Sequence, residues 1–331
     1  MNILIVRIGR MGDMVMVLPA IQEIFQKFPG ATVYALSSKD GLRLLPLAGI
    51  ERQRICVCRN GIWHRLIDTL RIKRLMADVT FDRVFCFQSK KWVLSWLPKE
   101  AAILYPDQQL MHYASRCLQL VSPAADISFQ KKQPYLTVAK DKQQRLTEIL
   151  ETQGIIANTI LVGLHPTYSG FDKWGRASEK RHRLWPASYF AALAKVLRAE
   201  AHKKKIDLKI VMNLLPREQK LGRYIVQLSQ GSILLVPDFS DFQTYLAYLQ
   251  RLNVLVVSNT GVMHLAAALA TPLVALFSGM DPEDCGPYMH EKHCVVLRAE
   301  DTDAPENGLA AITVASVFDR VLGLTKGFSP S

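Results

Sequence analysis

At 331 residues the chain is long for one compact core and suits two domains of roughly 150 residues each. Its composition, 49% hydrophobic and 21% charged, is ordinary for a globular protein. Because the sequence has neither an apolar run of roughly 18 residues nor a secretory signal, we expect a cytoplasmic protein. The formal net charge of +12 indicates an anionic partner: nucleic acid, a phosphorylated glycolipid or an anionic membrane surface.

The first residues follow the pattern strand, glycine loop, helix. Asn2 to Ile8 form an apolar run, the loop Gly9-Arg10-Met11-Gly12-Asp13 follows, and residues 14–28 carry apolar side chains at helical spacing. The loop lacks the GxGxxG dinucleotide fingerprint and the GK[ST] of a P-loop, which disfavours a nicotinamide cofactor or an NTPase site. Asp13 is either a helix cap or a carboxylate at the mouth of the sheet that can take a proton from an attacking hydroxyl.

Basic residues are concentrated in two blocks. Residues 51–100 hold eleven Lys or Arg against five Asp or Glu, and residues 171–205 hold ten against three. The blocks fall in different halves, as expected for two basic walls of one cleft, although a solvated surface without function would look the same. In the first block, Arg65 lies on a predicted basic helix, and Lys90 and Lys91 follow a predicted buried strand at the end where open α/β sheets place ligands.

The middle of the chain is where we predict the change of domain. Residues 123–133 are polar and irregular, and the charged helix predicted at 141–153 follows them. We place the boundary near residue 155, within about ten residues.

A metal site is not predicted. The six cysteines, at positions 56, 58, 86, 117, 285 and 294, have no CxxC spacing, so we expect buried thiols. The segment Asp301-Thr302-Asp303 has the spacing of a DxD motif, but it is set in a polar stretch and not at the end of a predicted strand.

The second half restarts with a strand at 159–164. A polar and basic loop follows from His165 to Arg183-Leu184-Trp185-Pro186, then a helix at 187–201. A strand at 207–213 precedes Glu218, which by itself is a first-turn helix glutamate favoured by the helix dipole.

The stretch from Val254 to Gly279 predicts strand, tight polar turn, helix and strand. The turn contains Asn259, Thr260 and Gly261 at the amino terminus of the helix, where unpaired N–H groups and the helix dipole favour an anion, and His264 follows one helical turn later. This pattern indicates a pocket for nucleotide phosphates, or else Thr260 is an ordinary cap and His264 a core histidine.

Two motifs resemble the signatures of the bacterial ADP-heptose:lipopolysaccharide heptosyltransferases, glycosyltransferase family 9. They are ILIVRIGRMGDMVMVLPAI near the start, and NTGVMHLAAAL followed by PLVALFSGMDPEDCGPY in the second half. The resemblance implies an α/β protein of the GT-B fold, with two Rossmann-like domains whose parallel sheets face each other across a cleft. Residues 1–155 would bind the acceptor and residues 156–331 the nucleotide sugar, with the last helix crossing back to the first domain.

The resemblance also implies roles for individual residues. Asp13 matches the proposed catalytic base of the family, Thr167 and Arg183 match positions that contact the diphosphate, and Glu218 matches an acid near the ribose. The donor site is completed by Asn259, Thr260, Gly261 and His264, and the candidates for contact with acceptor phosphates are Arg10, Arg65, Lys90 and Lys91. The family usually has an acid where this chain has Asn259, so the donor sugar or its affinity is expected to differ.

The implied reaction is an inverting transfer of heptose from ADP-heptose to a hydroxyl of the lipopolysaccharide inner core, on a Kdo or heptose acceptor, without an obligatory metal or other cofactor. The partners would be the nucleotide sugar and a phosphorylated glycolipid, met at the cytoplasmic face of the inner membrane. Two alternatives stay open: a transferase of the same fold that uses another nucleotide sugar, and a nucleotide-sugar-binding protein without catalysis. Nucleic acid is disfavoured because no helix-turn-helix, zinc finger or RNP-like segment occurs.

Overall fold

The computed structural model describes residues 1–58, 62–88, 91–104, 111–126, 134–167, 181–239 and 241–328. The chain divides into two compact units: Met1–Leu136 with Glu283–Tyr288, and Thr137–Pro282 with Met289–Ser331. The division after Leu136 lies earlier than the predicted boundary near residue 155. The reason is that the helix Lys140–Glu151 packs on the helix Phe242–Arg251 of the second unit.

A parallel sheet of five strands forms the centre of the first unit. Its order is β3 (Ile55–Val57), β2 (Thr32–Ser37), β1 (Asn2–Arg7), β4 (Arg83–Cys86) and β5 (Ala102–Ile103). The interior of β1 is buried throughout, as its continuous apolar run predicts for a strand covered on both faces. The strand order reverses between β1 and β4, and the carboxyl ends of such a pair are where doubly wound sheets bind ligands.

The helices of the first unit are α1 (Met11–Val15), α2 (Leu18–Lys27), α3 (Lys39–Leu44), α4 (Ile62–Asp78), α5 (Lys91–Leu94) and α6 (Tyr113–Val121), with 3-10 turns at Leu45–Ala48 and Arg52–Arg54. The sequence predicts one helix over 14–28, whereas the structure has α1 and α2. The break falls just before Pro19, which lacks an N–H and clashes with the carbonyl four residues earlier.

The segment Glu283–Tyr288 belongs to the first unit although its neighbours in sequence belong to the second. The hydroxyl of Tyr288 accepts a hydrogen bond from Ser115 Oγ of α6 (3.2 Å), and its ring stacks on that of Tyr135, with 5.8 Å between the ring centres. The first unit is therefore built from two separate pieces of the chain.

A parallel sheet of six strands forms the centre of the second unit. Its order is β11 (Cys294–Arg298), β10 (Leu273–Phe277), β9 (Val254–Ser258), β6 (Ile160–His165), β7 (Leu208–Met212) and β8 (Leu234–Leu235). All residues of β9 and β10 are buried. The order reverses between β9 and β6, so the carboxyl ends of these two strands form the ligand-binding crevice expected for such a sheet.

The helices of the second unit are α7 (Lys140–Glu151), α8 (Ala187–Lys203), α9 (Gln219–Leu228), α10 (Phe242–Arg251), α11 (Gly261–Ala268), α12 (Pro282–Cys285, most of which joins the first unit) and α13 (Val314–Leu324). The 3-10 turns are Arg181–Arg183, Pro216–Glu218, Glu291–His293, Ala299–Asp301, Pro305–Ala311 and Lys326–Phe328. The last long helix, α13, packs on α8 and buries Val317 and Val321 in the core of the second unit. The crossing of this helix to the first unit stays a prediction.

All six cysteines lie in the described residues, and none is joined in a disulfide. Cys58, Cys86, Cys117 and Cys285 are buried, as predicted, whereas Cys56 and Cys294 are half-buried.

No helix in the described part of the chain is by itself long and apolar enough to cross a bilayer. The segments Pro305–Ala311 and Val314–Leu324 reach that length and hydropathy only when taken together, across a bend of 51°.

Candidate functional site

Asp13 lies in α1, just after the loop at the carboxyl end of β1. Its Oδ1 accepts a hydrogen bond from Arg7 Nη2 (2.7 Å), and its Oδ2 accepts one from the backbone N–H of Arg10 (2.8 Å). Asp13 is therefore the third residue of the helix and reaches back to its start, instead of standing at the N-cap position itself. About a third of the side chain (36%) stays exposed. A carboxylate that is fixed in place and open on one side is suited to accept a proton from a hydroxyl.

Arg7 holds this carboxylate in place, and the sequence analysis missed it. Arg7 is the last residue of β1, and its Nη1 donates a hydrogen bond to the carbonyl of Phe87, just after β4 (2.9 Å). The guanidinium carbon lies 4.8 Å from the ring centre of Tyr113, whose hydroxyl also donates to the Phe87 carbonyl. A cation at the end of a continuous apolar strand is the signal that could have found this residue.

Gly9 leaves the space that Asp13 occupies. A Cβ at position 9 would lie 2.5 Å from the Cβ of Asp13 and 2.8 Å from its Oδ2, closer than Cβ atoms approach in real proteins. A larger residue at this position would displace the carboxylate, so Gly9 is needed for the Asp13 side chain to keep its position.

Of the four basic residues predicted to contact acceptor phosphates, only Arg10 has a side chain that the structure describes. Arg10 is exposed in the loop, where its backbone N–H binds Asp13. The backbones of Arg65 and Lys91 belong to α4 and α5, but their side chains, and the whole of Lys90, lie outside the described residues.

In the second unit the candidate site lies at the amino terminus of α11. Thr260 occupies the N-cap position and is only 6% exposed. Its Oγ1 is buried and has no hydrogen-bond partner among the described residues. A buried hydroxyl left unsatisfied costs about 1–3 kcal/mol, so this atom is one that a ligand oxygen would stabilise. The N–H groups and the dipole of the helix favour the same kind of ligand, an anion.

Arg183 is brought to this helix terminus from a distant part of the sequence. It ends the turn Arg181–Arg183, and its Nη2 donates a hydrogen bond to the backbone carbonyl of Asn259 (2.9 Å). The buried Trp185 anchors the turn by donating its Nε1–H to the carbonyl of Ile312 (2.8 Å). The structure thus brings the guanidinium to the loop that contains Asn259 and Thr260, and His264 is buried one helical turn further on.

Gly308 allows this approach. It has a left-handed φ of +58°, and a Cβ at this position would lie 2.5 Å from the Cα of His182, the residue before Arg183. We therefore expect Gly308→Ala to lower the free energy of unfolding by about 2 kcal/mol or more, and to weaken ADP binding by moving Arg183.

Urea unfolding and ADP titration would test this expectation. The matched control is Gly323→Ala in α13, where a Cβ would meet nothing within 4 Å and alanine favours the helix. A Gly308→Ala protein as stable as the wild type would contradict the proposed role of this glycine.

Thr167 and His165 lie at the end of β6, beside β9. Thr167 is 1% exposed, and its Oγ1 lies 3.2 Å from Nε2 of His165. Burial lowers the pKa of His165 from 6.5 to about 4, so the imidazole is neutral at pH 7. The remainder of the predicted loop, residues 168–180, lies outside the described residues.

The lowered pKa of His165 predicts a dependence of stability on pH. Below pH 6.5 the unfolded chain takes up a proton on this ring, whereas the folded chain does not until about pH 4. The contribution of the neutral, buried His165 to the free energy of unfolding is therefore present above pH 6.5 and is lost as the pH falls toward 4. Between pH 7 and pH 5 we expect a loss of at most about 2 kcal/mol in the free energy of unfolding.

Urea unfolding at the two pH values, in the wild type and in His165→Gln, would measure this loss. The glutamine cannot take up the proton, so its loss should be smaller. Equal losses in the two proteins would show that His165 does not titrate as described.

Glu218 is buried, and its Oε2 accepts a hydrogen bond from the backbone N–H of Leu215 (3.1 Å), at the turn before α9. This contact fits a carboxylate that caps the start of a helix. A contact between Glu218 and a ribose stays a prediction.

Two doubly wound parallel sheets are the architecture of the GT-B fold, and solved structures with that fold match the chain almost from end to end. A family 9 glycosyltransferase from Veillonella parvula DSM 2008 matches with a TM-score of 0.79 and 16% identity, over 98% of this chain and 96% of that one. The E. coli ADP-heptose lipopolysaccharide heptosyltransferase II has a TM-score of 0.71 and 17% identity, over 99% and 100%. An E. coli heptosyltransferase solved with ADP has a TM-score of 0.68 and 19% identity, over 98% and 100%.

The family follows from the sequence itself. The profile of glycosyltransferase family 9 (heptosyltransferase) matches residues 87–308. The chain therefore belongs to glycosyltransferase family 9, as its two motifs indicated, and it is an enzyme of glycosyl transfer. The matched range includes Thr167, Arg183 and Thr260, whereas Asp13 lies before it. A comparison with curated protein sequences finds no match.

Proposed function

We propose that this enzyme transfers heptose from ADP-heptose to a hydroxyl of the lipopolysaccharide inner core, on a Kdo or heptose acceptor, with inversion at the anomeric carbon. The observation that carries the proposal is the buried Oγ1 of Thr260 at the terminus of α11, which has no hydrogen-bond partner in the part of the chain that the structure describes. Two E. coli proteins of the same fold support this choice of donor, since one is an ADP-heptose heptosyltransferase and the other binds ADP.

In the proposed reaction the acceptor hydroxyl attacks the anomeric carbon while the bond to the diphosphate breaks. Asp13 takes the proton of the attacking hydroxyl. The guanidinium fork of Arg183, the hydroxyl of Thr260 and the N–H of Gly261 stabilise the negative charge that develops on the leaving diphosphate. Thr167 adds a further hydroxyl from the neighbouring strand end. These groups supply the required charge and hydrogen bonds, so the proposal needs no metal ion.

Other parts of the donor would meet residues further from the reacting bond. His264 lies one turn into α11, and Glu218 follows β7, the strand next to β6; we propose that Glu218 contacts the nucleoside. Asn259 can still form hydrogen bonds, but it lacks the negative charge of the acid that is usual at this position in the family. This difference favours, as a second candidate, a transferase of the same fold that uses another nucleotide sugar.

The place of action follows from the acceptor. A lipopolysaccharide precursor is anchored in the membrane by its lipid, so the enzyme would work as a peripheral protein on the cytoplasmic face of the inner membrane. The net charge of +12 is favourable for both the phosphorylated acceptor and the anionic lipid around it.

A calorimetric titration with ADP-heptose, ADP, UDP-glucose and GDP-mannose tests the proposal. We expect selective binding of the two ADP compounds. Preference for the UDP or GDP sugar would reassign the donor, and binding of none of the four would overturn the proposal.

Thr260→Val is the matched variant for the same titration. Valine has the shape of threonine without the hydroxyl, and that hydroxyl bonds no described group of the protein. We expect the affinity for ADP to fall about tenfold while the stability of the ligand-free protein is kept or raised. Unchanged affinity would remove the Thr260 hydroxyl from the donor site.

A further inference from the structure

Helix α4 has one face in the core of the first unit and another in solvent. On the inner face Ile72 is fully buried against the apolar residues of β1, with Leu75 and Met76 packed beside it. On the outer face Ile67 and Leu70 are 51% and 69% exposed. Leu70 is the most exposed of the large hydrophobic side chains described. The two residues lie one helical turn apart, so they form a single apolar patch on the surface.

Basic side chains lie on the same outer face, further along α4. Positions 67, 70, 71 and 74 recur at the spacing of one helix face, which places Arg71 and Arg74 next to the two aliphatic side chains. Both arginines are exposed, as is Lys73. Arg74 pairs with Asp78 through a 3.5 Å contact between two largely exposed side chains, an interaction that water weakens. The sequence around α4 is positively charged overall, since residues 51–100 contain eleven basic and five acidic residues.

We propose that this outer face of α4, formed by Ile67, Leu70, Arg71 and Arg74, docks on an anionic lipid bilayer. A phosphorylated sugar in water would use the cations but would gain nothing from Ile67 and Leu70. A bilayer uses both, because the aliphatic side chains enter the boundary between headgroups and acyl chains while the cations meet the anionic headgroups. The inference deepens the proposed function by naming the surface through which the enzyme reaches a membrane-anchored acceptor, but its evidence is α4 alone.

The inference predicts that binding of the protein to anionic vesicles requires both the aliphatic and the basic side chains of this face. The full chain should sediment at low salt with vesicles of phosphatidylcholine containing about one third phosphatidylglycerol, and much less with phosphatidylcholine alone. The double variant Ile67→Ser/Leu70→Ser should lower the bound fraction at limiting lipid about tenfold. Arg71→Gln/Arg74→Gln should also lower it, and raising the salt to about 0.5 M should release the wild type.

Ile156→Ser is the matched control. Ile156 is an aliphatic residue of the second unit that is 59% exposed, so its replacement changes surface hydrophobicity to a similar extent elsewhere. This variant should sediment like the wild type. The Ile67→Ser/Leu70→Ser protein should keep its thermal midpoint and its affinity for ADP, which shows that a loss of sedimentation is not a loss of fold.

Three results would overturn the inference. The first is that the wild type does not sediment with the anionic vesicles, and the second is that the Ile67→Ser/Leu70→Ser variant sediments as well as Ile156→Ser does. The third is that light scattering shows a dimer of the wild type that this double variant dissociates, which would assign the face to a second copy of the chain. Failure of the donor titration, in contrast, would overturn the proposed reaction and leave the vesicle result unaffected.

Discussion

Asp13→Asn should bind ADP with unchanged affinity and lose turnover by about a thousandfold. The amide has the size of the carboxylate and can still accept the hydrogen bond from Arg7, but it cannot take a proton from the acceptor hydroxyl. It also cannot both accept from Arg7 and accept from the N–H of Arg10, so a small loss of stability is expected as well. Steady-state rates with a heptose acceptor, together with an ADP titration, would separate catalysis from binding.

Asp82→Asn is a suitable control for this experiment. Asp82 is another carboxylate of the first unit that accepts a backbone N–H, that of Asn2 (2.6 Å). Its replacement should lower stability slightly and leave kcat unchanged. If Asp13→Asn also keeps its turnover, Asp13 is not the base.

Arg183→Gln should lower kcat by about a hundredfold to a thousandfold and weaken ADP binding at the same time. The guanidinium is held by the carbonyl of Asn259 at the helix terminus that is proposed to receive the diphosphate, so its loss removes charge where the leaving group becomes more negative. Arg183→Lys should recover only part of the activity, because an ammonium group keeps the charge but not the two-pronged geometry.

The control for Arg183 is Arg198→Gln in α8. Arg198 is exposed and likewise donates a hydrogen bond to a backbone carbonyl, that of Gly231 (3.3 Å). Its replacement should change neither kcat nor the affinity for ADP. Equal effects of the two glutamine variants would mean that Arg183 acts only through general surface charge.

The part of the site that is continuous in sequence was predictable. The stretch from Val254 to Gly279 folds as β9, α11 and β10, with bounds close to those predicted, because two continuous apolar strands and a glycine at the start of a helix leave few other arrangements. The same reasoning placed Thr260 at the helix terminus. It could not show that the Thr260 hydroxyl has no hydrogen-bond partner among the residues that the structure describes, since that depends on every side chain packed around it.

Contacts between distant residues were not predictable from one sequence. Arg183 and Asn259 are 76 positions apart, and only the reversal of strand order between β6 and β9 brings their loops together. Arg7 was missed because it looks like the polar end of a strand. The predicted boundary near residue 155 lies after α7, whereas the division found in the structure lies before it, because the buried Leu146 and Leu150 of α7 lie on the face that packs on α10.

The two-piece construction of the first unit has a consequence for protein engineering. A fragment ending at Leu136 would lack Tyr288, and the ring of Tyr135 and the hydroxyl of Ser115 would lose their partner. A chimera that exchanges everything after Leu136 with a homologue would import a foreign Glu283–Tyr288 into the unit meant to stay native. Exchange of the second unit between family members therefore requires the replacement of two separate segments, residues 137–282 and 289–331, with the native codons for residues 283–288 retained.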